Sequence, residues 1–241
     1  MSDKLTVLAE VILENVVDAA WMQMQQRYGV PAHLEGTDKG FAVIGYGKLG
    51  GYELGYGSDL DLVFLHNAPR GISTDGKKSI EAQQFYIKLA QRIMHLLNTK
   101  TLFGQLYETD LRLRPSGNAG LLCCHIDGFE KYQTEEAWTW EHQALVRARA
   151  ICGAPRLLND FTQVRSSILT RSRNAKTLAD DVCKMRLKMR EHLLSKENDK
   201  VDLKQCVGGI TDIEFMAQYL VLANAKSQAA MTEYPDNLRI F

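Results

Sequence analysis

FAVIGYGKLGGYELGYGSDLDLVFLH, residues 41–66, decides the fold. It opens with FAVIGY (41–46) and closes with LDLVFLH (60–66), two short β-branched and aromatic runs of the kind that form buried strands. Between them lies GKLGGYELGYGS, a glycine-dense connector. Strand side chains alternate, so Asp59 and Asp61 project from the same face. Two carboxylates that close repel one another unless a cation sits between them. A hard divalent ion answers that need, and magnesium typically takes one or two carboxylates plus substrate phosphates.

Context gives the D-x-D its weight, because alone it also describes a solvent-facing strand start. Gly47-Lys48-Leu49-Gly50-Gly51 directly follows the first strand. Glycines let backbone N–H groups approach phosphate oxygens closely. The order is not that of a Walker loop. Gly45, Gly47 and Gly50 satisfy G-x-G-x-x-G, yet the long helix of a dinucleotide fingerprint is missing and the D-x-D intervenes.

A third acid lies on a further predicted strand over 105–114, which includes YETDLRLR (107–114). Alternation would put Glu108, Asp110, Arg112 and Arg114 on one face, a set suited to metal and phosphate or to structural ion pairs. GLLCCHI (120–126) reads as a fourth strand. Upstream, residues 4–28 carry Leu5, Leu8, Ile12, Val16 and Ala20 at helical spacing, and 79–98 form a second amphipathic helix. Downstream the patterns are helical over 127–134, 136–151, 154–168, 175–195 and 209–225. The fold class is therefore α+β: a small mixed sheet flanked by helices, then a helical region.

Composition agrees with a folded domain: 45% of residues are apolar and 24% charged. Lys+Arg and Asp+Glu balance at 29 each, which argues against nucleic acid or a membrane surface as partner. No segment reaches the length of a membrane span and the N-terminus has no signal-peptide pattern. Five cysteines without a C-x-x-C pair suit reduced thiols and a cytoplasmic location. His125, His142 and His192 are too scattered to suggest a metal site. Pro235-Asp236 looks like the start of another helix, so a longer parent protein is expected.

A glycine loop, a D-x-D strand and a third aspartate on a neighbouring strand resemble the polymerase-β-like nucleotidyltransferase fold. The strings at 41–66, YETDLRLRPSGNAG, WEHQALVRARAICG and GGITDIEF narrow this. From about residue 40 to 240 the chain looks like glutamine synthetase adenylyltransferase. RLRPSG and EAWTWEHQALVRAR are similar to the half of that two-part enzyme that adds AMP, rather than the half that removes it by phosphorolysis.

The resemblance implies transfer of AMP from ATP to a tyrosine of glutamine synthetase, with two Mg2+ ions held by Asp59, Asp61 and Asp110. Asp110 would also be a candidate to accept the phenol proton. It further implies nucleotide binding by Gly47, Lys48, Gly50, Gly51, Ser58 and Arg112, and a PII-type signal protein as regulator. The spacer 52–58 is shorter than the family's usual one, which leaves open whether Gly47-Lys48 or Gly50-Gly51 is the phosphate-side pair. The implied organisation is a connector helix (1–30), a catalytic domain (31–153) and a helical domain (154–241). Arg147 and Arg149 are further phosphate candidates or an exposed face. Trp138 and Trp140 read as core in preference to stacking on adenine, and the early acids of GGITDIEF as helix-start residues.

Overall fold

The computed structural model describes residues 1–193 and 202–241. Five strands form one sheet: β1 (Phe41–Gly45), β2 (Leu60–His66), β3 (Thr109–Asp110), β4 (Cys123–His125) and β5 (Arg149–Gly153). β1 runs antiparallel to β2, with Phe41 opposite His66 and Gly45 opposite Leu62. Strand β5 lies antiparallel on the other edge of β1. Both β3 and β4 run parallel to β2, along successive stretches of its free edge: Asp61 faces Asp110, and Phe64 faces Cys123. The class is the α+β mixed sheet expected.

Helices cover both faces. α1 (Ser2–Tyr28) and α3 (Ala82–Asn98) lie on one side, where Phe41, Val43, Leu60, Leu62 and Phe64 share a core with Leu13, Trp21, Phe85 and Leu89. On the other side Ala42, Ile44, Val63 and Leu65 meet Phe129, Leu157, Phe161 and Val221. These belong to a second layer of α4 (Ile126–Glu135), α5 (Thr139–Val146), α6 (Pro155–Leu169), α7 (Ala175–Leu193) and α8 (Ile210–Asn224). Two short helices complete the set: α2 (Gly47–Gly50) between β1 and β2, and α9 (Asn237–Ile240), whose N-cap Asp236 accepts the N–H of Arg239. A sheet buried on both faces explains why β1 and β2 read as continuous apolar runs.

Several sequence readings are corrected. α1 forms, but its buried stripe is Ala9, Leu13, Val16, Val17, Ala20, Trp21 and Met24, and Leu8 is 51% exposed. The strand expected over 105–114 shrinks to Thr109–Asp110, preceded by one bond from Leu60 N–H to the Glu108 carbonyl. After Asp110 the chain turns, with Arg114 N–H donating to Leu111 O. The helix expected over 136–151 ends at Val146, and 149–153 becomes β5. Local propensity there yields to β1, whose second edge would otherwise lie unpaired inside the molecule. The helix expected over 175–195 is seen as Ala175–Leu193, and its last two positions lie outside the described residues. Trp138 is 71% exposed rather than packed in a core, and Trp140 is half-buried.

Candidate active site

β2 sets the geometry. Asp61 is its second residue and Asp59 stands two positions earlier, so both take the parity of Val63 and Leu65, whose side chains face the α4–α8 layer. Asp110 is the parallel-ladder partner of Asp61. Carboxylate oxygens from Asp59, Asp61 and Asp110 all lie within 4.8 Å of one another. Among the described residues this is the one His/Cys/Asp/Glu group with metal-holding geometry.

Charge in the group is poorly compensated. The Asp61 carboxyl is pushed up to about 6, first by burial and then by Asp59 and Asp110, with Arg112 and Lys48 only partly offsetting them. Asp110 is held below the usual carboxylate range chiefly by Arg112, whose guanidinium forks onto it while the Arg112 N–H donates to Oδ1 at 2.8 Å. A half-buried acid raised by two neighbouring acids is the electrostatic condition that a hard divalent cation relieves, so the donor set fits magnesium. A cleft of about 460 Å3 opens beside the group, walled by Met94, Glu108, Leu111, Asn118 and Leu122.

The β1–β2 connector supplies the other side. Gly47 has φ +54° and a Cβ there would lie 2.5 Å from Asp61 Oδ2, so the turn passes directly over the carboxylate only because position 47 has no side chain. Lys48 Nζ reaches Ser58 Oγ at 3.4 Å, and Ser58 Oγ accepts the Gly55 N–H at 3.1 Å. Gly50 and Gly51, expected to offer N–H groups to phosphate, already donate them to the carbonyls of Tyr46 and Gly47. Their missing side chains serve packing instead: a Cβ on Gly50 would meet the Arg147 carbonyl oxygen at 2.0 Å, and one on Gly51 the Arg147 guanidinium at 2.6 Å.

The arginines divide differently from the strand reading. Arg112 stands at the triad, its side chain 73% exposed. Arg114 is buried and turned inward, donating to the carbonyls of Leu111, Asn118 and Gly120 in its own loop. Arg147 lies on no exposed face: it is 4% exposed and bridges Glu53 and Glu214. Arg149 pairs with Glu10 and stacks over Tyr52. The acids of GGITDIEF therefore have partners, Glu214 with Arg147 and Asp212 with Arg186 and Arg190. Glu53 is the residue that sequence reasoning overlooked. Its signal was weak, a lone acid in the connector opposite an arginine far along the chain.

Two comparisons bear on this arrangement. A protein-family model described as glutamate-ammonia ligase adenylyltransferase matches residues 1–164. A bifunctional glutamine synthetase adenylyltransferase/adenylyl-removing enzyme of Alteromonas mediterranea is 88% identical over all 241 residues. The match spans only 24% of that relative's length.

Proposed function

From the premise that this chain belongs to the glutamate-ammonia ligase adenylyltransferase family, we propose that it transfers AMP from ATP to a tyrosine hydroxyl of glutamine synthetase. The observation that carries the chemistry is the convergence of Asp59, Asp61 and Asp110 within 4.8 Å at the end of β2. In the reaction a phenol oxygen to α-phosphorus bond forms, the bond to the β-phosphate bridge breaks, pyrophosphate leaves, and the phenol proton goes to solvent.

Asp59 and Asp61 would hold two magnesium ions, with Asp110 completing the ligand set on the acceptor side. Bound there, the ions would neutralise triphosphate charge and make the phenol more acidic. Burial and its acidic neighbours raise the Asp61 carboxyl to about 6, so a cation held there would relieve the repulsion on its ionised form. Arg112 keeps the Asp110 carboxylate ionised, which suits a charge-bearing ligand and weakens the expected role as proton acceptor. Lys48 and Ser58 face the nucleotide from the connector and donate to its β- and γ-phosphates, while Gly47 gives the close approach. Gly50 and Gly51 support that connector from behind.

The catalytic unit is residues 31–153, with 1–30 as a helix laid on its core and 154–241 as the helical domain. RLRPSG and EAWTWEHQALVRAR support addition of AMP over its removal. A PII-type signal protein as regulator, and a cytoplasmic setting, rest on the sequence resemblance. No helix among the described residues is long and apolar enough to cross a membrane.

The test is magnesium-dependent transfer of label from α-labelled ATP to glutamine synthetase. Asp59→Asn and Asp61→Asn should keep the fold and abolish transfer, because each removes a ligand from the expected phosphoryl-transfer centre. Labelling that persists in either variant refutes the assignment. Release of ADP from AMP-modified glutamine synthetase by orthophosphate, without forward transfer, would make this the removing half.

A further inference from the structure

Arg147 occupies a place that packing alone does not explain. It follows α5 and its side chain is enclosed, at 4% exposure, between the connector and α8. Nη2 donates to Glu53 Oε2 at 2.5 Å and Nη1 to Glu214 Oε1 at 2.8 Å. Glu53 N–H in turn donates to the Lys48 carbonyl at 2.8 Å. Gly50 and Gly51 rest against the Arg147 carbonyl and guanidinium, with no room for a Cβ at either. A continuous series of contacts thus runs from Glu214 on α8, through Arg147 and Glu53, to Lys48 and so to Ser58.

We propose that Arg147 is a positioning residue: clamped by Glu214, it holds Glu53 and with it the 47–58 connector at the spacing that nucleotide phosphates require. The proposal rests on the reading of Lys48 and Ser58 as phosphate-side groups. The connector's other ties gather toward its ends: Leu49 and Leu54 are buried, Arg149 donates to the Leu49 and Gly50 carbonyls and lies over the Tyr52 ring, and Asn237 donates to Glu53 Oε1. Tyr56 at its crest is 78% exposed, and a Cβ on Gly57 would meet nothing. Asp61 is fixed independently by the β1–β2 and β2–β3 ladders. Loosening the Arg147 bridge therefore displaces the phosphate side and leaves the acids in register. Nucleotide affinity suffers before turnover does.

Glu214→Gln and Glu53→Gln test this singly and together, each retaining a hydrogen-bonding side chain. Glu214 lies on α8, and among the described residues its side chain is bonded to Arg147, so its substitution acts on the connector through that bridge. In the ligand-free chain, hydrogen exchange of amides 51–58 should quicken about tenfold in each variant while β1 and β2 amides keep their protection. In AMP transfer, KM for MgATP should rise about five- to twentyfold with kcat within about twofold, and the double variant should be no worse than Glu53→Gln alone. Unchanged exchange over 51–58 overturns the proposal. So does a fall in kcat that simply tracks a loss of melting temperature, or additive KM effects. If the unaltered chain transfers no AMP, the functional reading fails, and the exchange measurement still decides whether Arg147 holds the connector.

Discussion

Asp61 shows in one residue how a site works against its own fold. Its carboxyl is raised from 3.8 to about 6 by burial and two acidic neighbours. An acid with a raised folded-state value contributes stability below about 4 and loses it as pH climbs through 6. The metal-free chain should therefore lose stability across that window, and Asp61→Asn should flatten the loss. At neutral pH Asp61→Asn should be more stable than the unaltered chain by about 1–2 kcal/mol, discounted from about 1.4 per pKa unit because water still reaches the group. Magnesium should raise the melting temperature of the unaltered chain and not that of Asp61→Asn. Thermal melts over pH, with and without magnesium, check both statements. A variant that melts lower without metal would show that the aspartate is not strained by its neighbours.

At the scale of elements, β2 and its connector were legible because their signals are local. An apolar run, glycines and a D-x-D lie within residues 41–66, and the period of two was enough to place Asp59 and Asp61 together. β3 was legible in kind but not in extent, and β5 was read as helix. Their pairing is decided by edges that other strands leave open, and no local pattern in 105–114 or 136–151 records that. The arginines show the consequence. Alternation placed Arg112 and Arg114 side by side, yet the turn after Asp110 sends them apart. Arg112→Ala should leave stability within about 0.5 kcal/mol, as exposed ion pairs do, while raising the Asp110 carboxyl and weakening transfer. Arg114→Ala should cost about 1–2 kcal/mol, because the buried Leu111 carbonyl and the part-buried Asn118 and Gly120 carbonyls lose a charged donor. Denaturant melts beside transfer assays separate the two; equal effects on stability would contradict the assignment.

Across the whole molecule the two helical layers are held together differently. The α4–α8 side depends on a buried arginine as well as apolar packing. Arg165 on α6 donates to Leu145 O, Val146 O and Thr232 O, two at 2.6 Å and one at 3.1 Å. It thereby gives the Val146 carbonyl at the end of α5 a partner and ties that end to the Thr232 carbonyl. Arg165→Met keeps the volume and removes every donor, so it should cost about 3 kcal/mol, or roughly 6–12 °C in melting temperature for a chain of this size. A loss under about 1 kcal/mol would mean that water replaces the guanidinium.

The β1–β2 hairpin also sets an order of events during folding. Gly47, Ser58, Asp59 and Asp61 are near neighbours along the chain, and closing that short loop is entropically cheap. Asp110 reaches its place only after α3 and the segment beyond it have wrapped back to the far edge of β2. Local pairings tend to precede distant ones. A chain that folds in this order brings the two repelling carboxylates together first and recruits their third companion late, so that docking of β3 is the step that completes the acidic cluster.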